Sequence, residues 1–179
     1  LEGGGRFQDA LKLFTRLVNI GDAKSLACHP ATTTHRQLGP EEMAKAGVNV
    51  QYVQLTPDGL FDIDHLAQLL QSCEGKTLVS VMHANNELGN IMDIQAIGAL
   101  CKQYGAIFHT DTVQTIAHMP FDLSNSNIDF LSASAHKFHG PKGVGFLYIK
   151  HQSNIASFIH GGSQERSMRA GTENVSGIV

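Results

Sequence analysis

The sequence predicts an α/β fold with a mostly parallel sheet and flanking helices, and three observations lead there. Short apolar runs at Leu78 to Met82, Ala106 to His109, Ile128 to Ser132 and Val144 to Ile149 are each bounded by polar or glycine-rich segments, as buried strands are. Ile94 to Tyr104, between the first two runs, has helical periodicity after Asp93, which completes a βαβ unit. The residues that follow the runs are polar, and parallel α/β sheets bind ligands beyond the carboxyl ends of their strands.

Taken in chain order, Phe7, Ala10, Leu11, Phe14, Leu17 and Val18 fall at helical spacing, and Gly21 is a stop for that helix. Lys24 to Cys28 reads as a short strand and His29 to Thr34 as a polar connection. Glu41 to Ala46 reads as a helix stub ended by Gly47. Val48 to Leu55 alternates like a strand, and Thr56, Pro57, Asp58 and Gly59 make a turn. Ile63, Leu66, Leu69 and Leu70 then share a helix face, with Asp62 as N-cap. No repeat, low-complexity tract or linker interrupts the chain.

Composition narrows the function classes. The 179 residues are 42% hydrophobic, enough for one well-buried domain, and carry 13 basic and 16 acidic side chains, net −3. That balance gives no footprint for nucleic acid or anionic lipid. No apolar stretch reaches transmembrane length and no signal peptide opens the chain, so a soluble cytoplasmic protein is expected. Cys28, Cys73 and Cys101 are too few and too scattered for a disulfide framework or a zinc knuckle, and each is expected to be a small buried hydrophobe. Ten histidines, with His136 and His139 three apart, raise a metal-binding reading, but they are scattered and no paired Cys or Glu stands at ligand spacing. The chain starts at Leu1 and ends at Val179 inside an apolar turn, and its flanks are expected to be missing.

The candidate chemistry sits after the predicted strands: His83, Asn85, Asn86 and Glu87; then Asp111 and Gln114; then Ser134, His136 and Lys137. A lysine beside a histidine in a small-residue loop suits attack on an aldehyde, because burial favours the neutral amine. An aspartate at a neighbouring strand end suits a pyridine ring, since its charge favours the protonated ring nitrogen. Ser134 and His136 can donate to a phosphate. The alternative for any one of these residues is a turn former or a cap.

These residues carry a resemblance. MHANNELG at 82 to 89, FHTDTVQ at 108 to 114, SASAHKFHGPKGVGFLYI at 132 to 149 and HGGSQERSMRAGTEN at 160 to 174 resemble, in order, the motifs of cysteine desulfurases of the class V aminotransferase group. The resemblance implies the large domain of a type I pyridoxal 5′-phosphate (PLP) enzyme over residues 48 to 179. It implies conversion of L-cysteine to L-alanine with transfer of sulfur to an acceptor. By it Lys137 is the catalytic residue that carries PLP, Asp111 pairs with the pyridine nitrogen, and Asn86 and Gln114 lie around the substrate carboxylate and the ring hydroxyl. Ser134 and His136 hold the phosphate, and Thr172 reaches the phosphate of a second subunit, which implies a homodimer. Ala135 departs from the family's usual glycine. The family's sulfur-accepting cysteine would lie beyond Val179, and none of the three cysteines present matches it.

Residues 1 to 47 are read differently. The stretch from Gly5 to Leu38, with SLACHPATTTH at 25 to 35, and EEMAKAGV at 41 to 48 resemble the C-terminal region of O-acetylhomoserine sulfhydrylases, another PLP family. The change near Gly47 implies a chimeric, recombined or mis-assembled sequence. Ser25 is the best candidate contact in this piece, and His29 or His35 could stand in for the family's ring-stacking histidine. An O-acetylhomoserine sulfhydrylase and a non-catalytic PLP-binding fragment are the alternatives to an incomplete desulfurase.

Overall fold

The structure, a computed structural model, describes residues 49–150, 155–157 and 159–179. Expectations for the first 48 residues, including the helix from Arg6, Cys28 and the boundary at Gly47, lie outside the described residues. The described residues divide into two compact units, 51–140 with 145–150, and 49–50 with 141–144, 155–157 and 159–179.

The first unit holds the sheet. Its strands are β1 (Leu78–Met82), β2 (Ile107–Asp111), β3 (Phe130–Ser134) and β4 (Gly145–Ile149), in that spatial order. β1, β2 and β3 run parallel, while β4 returns antiparallel against β3. Register follows from period-2 alternation. Val79, Val81, Phe108, Leu131 and Ala133 are buried on one face, and Leu78, Ser80, His109, Asp111, Ser132 and Ser134 belong to the other.

Two helices cover the apolar face. In α1 (Ile63–Ser72) the Asp62 carboxylate accepts from the His65 amide at 2.9 Å, which satisfies one of the orphan donors of the first turn. Leu66 and Leu70, one helical turn apart, enter the core. In α2 (Ile94–Gln103) Asp93 caps the amides of Gln95 and Ala96, and Ile94, Ile97 and Cys101 are buried. A Cβ on Gly98 would meet the Phe108 ring at 3.3 Å, so glycine there lets α2 sit close against β2. With α2 as the crossover between β1 and β2, the expected βαβ unit is present.

Several expectations need correction. Val48 to Leu55 was expected to be a strand, yet residues 49–54 form none and Leu55 makes only an isolated bridge to Phe61. Of this stretch only Val53 packs against the core, and among the described residues no strand pairs with it. β2 and β3 start later than expected and extend through Asp111 and Ser134, which the sequence placed beyond the strand ends. Cys73 is exposed at the end of α1, whereas Cys101 is buried as expected. The turn at Thr56 to Gly59 forms, with the Gly59 amide donating to the Thr56 carbonyl and Gly59 at φ 75°.

In the second unit the described residues form a loop structure ending in the short helix α3 (Val175–Ile178). The Gln164 side chain accepts from the Gly171 amide, and the Ala170 amide donates to the Ile159 carbonyl. Among the described residues no helix is long and apolar enough to cross a membrane.

Candidate functional site

The parallel register aligns the carboxyl ends of three strands. Met82 lies opposite Asp111, and Asp111 opposite Ser132, so the segments after β1, β2 and β3 emerge side by side at one edge of the sheet. Asn86, Asp111 with Gln114, and Ser134 with His136 and Lys137 stand on those three neighbouring segments. Asp111 and Ser134 share the sheet face that α1 and α2 leave uncovered.

Local bonding holds these groups in place. One carboxylate oxygen of Asp111 accepts from the Val113 amide at 2.9 Å. The Thr112 amide and hydroxyl both donate to the Ser132 carbonyl, at 3.0 and 2.9 Å, fastening the end of β2 to β3. Gln114 sits in the turn that follows, and Asn86 donates to the Glu87 carboxylate at 2.7 Å. Ser134 Oγ and His136 Nδ1 are 2.8 Å apart, a pair of polar tips at the end of β3.

Lys137 closes the 3-10 turn Ala135–Lys137 and its side chain is exposed. The amides of Phe138 and Gly140 both donate to the Ala135 carbonyl, which folds the lysine loop back on itself. A Cβ on Gly140 would lie 2.7 Å from the Ala135 methyl. The methyl that distinguishes Ala135 from the family's usual glycine is therefore buried against Gly140, inside the loop. Thr172 is exposed and belongs to the second unit.

Other polar groups near the strand ends have less obvious sequence signals. His109 bridges three strands on the uncovered face, with Nδ1 2.8 Å from Ser80 Oγ and Nε2 3.3 Å from Ser132 Oγ. Burial pushes its pKa below the ordinary histidine value, and the charge of Asp111 opposes that. His83 is buried, with Nδ1 2.9 Å from Thr115 Oγ1 and its ring edge-on to Phe121, and burial lowers its pKa too. A cavity of about 210 Å³ is lined by His83, Met92, Gln95, Phe121 and Ile128, and of the candidate residues only His83 borders it. Among the described residues no cluster of three or more His, Cys, Asp or Glu could hold a metal.

Polar groups, a carboxylate and a lysine thus stand at or just past the carboxyl ends of parallel strands, the edge where α/β enzymes bind their ligands. The chain belongs to the aminotransferase class-V family, which it matches over residues 29–179. It is similar to the cysteine desulfurase IscS of Dictyoglomus turgidum, at 47% identity over 76% of this chain and 34% of that protein. The corresponding protein of Clostridium botulinum strain Hall is 49% identical over the same shares. Among solved structures, a NifS-like protein from Rickettsia africae superposes with a TM-score of 0.72 at 37% identity, covering 77% of this chain and 39% of that one. SspA in complex with cysteine superposes with a TM-score of 0.69 at 34% identity, over 76% and 39%. The chain spans about a third of the length of the curated relatives it matches.

Proposed function

We propose that this chain supplies the lysine-bearing core of a PLP-dependent cysteine desulfurase, with Lys137 as the point of cofactor attachment. The observation that carries the reading is the alignment of Asp111, Ser134, His136 and Lys137 at the ends of adjacent parallel strands, in a chain 47% identical to proteins of that name.

The donor set fits the cofactor. Asp111, with one oxygen engaged by the Val113 amide, offers a carboxylate to a protonated ring nitrogen, and an opposite charge there favours protonation by roughly 1 to 3 pKa units. The Ser134 and His136 pair supplies donors for a phosphate. The buried Ala135 methyl sits against Gly140 within its own loop. When bound, PLP supplies an electron sink for bonds around the substrate's α-carbon. With the cofactor bound, Lys137 would be the base that moves a proton at that carbon, a contribution worth roughly 10² to 10⁴ in rate. Asn86 and Gln114 orient the substrate carboxylate and the ring hydroxyl. In the whole protein Thr172 serves the phosphate of a second copy, giving a homodimer, and a sulfur-acceptor protein takes the product sulfur in the cytoplasm.

Borohydride reduction of the chain after incubation with PLP, followed by peptide mapping, tests this. Pyridoxyl is expected on Lys137 and lost in Lys137→Ala, with Lys142→Ala and Lys150→Ala unaffected. Label on Lys142, or spread evenly over the lysines, would sink the assignment.

A further inference from the structure

The turn after β2 carries a group that reaches the lysine loop. His118 Nε2 lies 2.9 Å from the main-chain carbonyl of Lys137. A carbonyl can only accept, so Nε2 carries the proton and donates. The two residues belong to different post-strand segments of the same unit, and this bond joins them directly.

The donor is held by its own turn. The amides of Thr115 and Ile116 donate to the Thr112 carbonyl, and those of His118 and Met119 to the Thr115 carbonyl. Immediately before His118, Ala117 adopts φ 63°, a left-handed conformation that costs a residue with a Cβ and persists where the surroundings impose it. At the other end of the same turn, Thr112 donates twice to the Ser132 carbonyl, and Asp111 accepts from Val113. The segment running from Asp111 to His118 is thus stitched to β3 at its start and to the lysine loop at its end. The His118 ring also stands edge-on to that of His139, two residues past Lys137 in the chain, with centroids 6.5 Å apart at 75°.

We infer that His118 is a positioning residue for Lys137: by holding the lysine's own carbonyl, it fixes the amine-bearing loop relative to the carboxylate of Asp111. The inference rests on the reading of Lys137 as the cofactor lysine. Exposed as it is, the bond competes with water, and its net worth corresponds to about a three- to tenfold change in a rate or equilibrium that depends on it.

Three variants of the full chain test it. His118→Phe keeps a flat ring without a donor, His118→Ala removes both, and His118→Gln restores an N–H of similar reach. In the cofactor-free chain, hydrogen exchange at the Phe138 and Gly140 amides should quicken about three- to tenfold in the Phe and Ala variants and return towards the parent rate in Gln. After PLP loading, hydroxylamine should strip the borohydride-reducible label from Lys137 faster by a similar factor in the first two, with a shifted visible band, and Gln should restore both. Unchanged exchange and release in the Phe and Ala variants, or a Gln variant as impaired as they are, would overturn the positioning role. Parent chain that takes no label at Lys137 would defeat the cofactor reading instead, and the exchange contrast would still decide whether His118 ties the two segments together.

Discussion

On the helix-covered face of the sheet Phe108 and Leu131 are 0% exposed; one residue along the same strands, on the other face, stand His109 and Ser132. The first face is held by apolar contact with Leu66, Ile97 and Cys101, and the second by a hydrogen-bonded row from Ser80 through His109 to Ser132. One strand serves both because its side chains alternate. The difference teaches that the FHTDTVQ and SASAHK motifs interleave two jobs, packing at Phe108, Thr110 and Ala133, and a polar face carrying candidate site groups at His109, Asp111, Ser132 and Ser134.

The sharpest way to break the comparison is to truncate one residue on each face. Phe108→Ala should lower the unfolding free energy by about 3–5 kcal/mol, because a fully buried ring leaves a cavity that Gly98 and Leu131 cannot fill. Leu78→Ala, at 61% exposure on the other face, should change it by no more than about 0.5 kcal/mol. Urea titration reads both, and equal losses would mean that the two faces are packed alike.

A second, smaller effect concerns the lysine loop. Gly140→Ala drives a methyl to 2.7 Å from the Ala135 Cβ, and overpacking of this kind costs about 1–3 kcal/mol. Removing the opposing methyl should return part of that loss, so the double variant Ala135→Gly, Gly140→Ala is expected to be more stable than Gly140→Ala alone. Unfolding midpoints compare the two, and a double variant weaker than the single would show that the contact at Ala135 is not what limits position 140.

The sequence made the strands legible but not their ends. Asp111 and Ser134 were read as lying past the strands because they are polar, whereas their polarity belongs to a face and the ladder continues through their backbones to Met82 and Gly145. The antiparallel direction of β4 left no mark in its composition. Caps at Asp62 and Asp93 were legible because the bond is local. His118 was not, since its partner is a main-chain carbonyl in a distant segment and no side-chain pattern records it. The candidate residues on β2, β3 and the loop after β3 were singled out because strand ends collect chemistry in parallel sheets.

Two threonines compare polar satisfaction within β2 and just past it. Both Thr110 and Thr112 are 0% exposed, but the Thr112 hydroxyl donates to the Ser132 carbonyl while the Thr110 hydroxyl has no partner among the described residues. An unsatisfied buried hydroxyl costs on the order of 1 kcal/mol or more, so Thr110→Val should stabilise the chain by about 1 kcal/mol. Thr112→Val should destabilise it by a similar amount, since it breaks a formed bond. Thermal melts of the two variants should move in opposite directions, and a matching decrease for both would remove the distinction.

The smallest effect vanishes at neutral pH and grows only in mild acid. His83 and His109 both have folded-state pKa values lowered from 6.5 by burial, the first among Thr115 and Phe121 and the second between Ser80 and Ser132. An unfolded histidine binds its proton near 6.5 while these folded ones do not, so the unfolded chain carries more protons just below that pH. Their contribution is therefore fully present above about pH 6.5 and is lost as pH falls from there towards the folded values. Burial is the larger influence on His109, and Asp111 opposes it. Asp111→Asn removes that opposition, lowers the His109 value further and should extend its acid loss to lower pH, while His83 is left as it was. Urea midpoints between about pH 7.5 and 5.5 measure the slope, which should flatten in His109→Asn and in His83→Asn, and more in the pair. A slope unchanged in His109→Asn would mean that the row across the uncovered face tolerates a charged imidazole, and that face would then owe its stability to something other than the neutral hydrogen-bonded ladder.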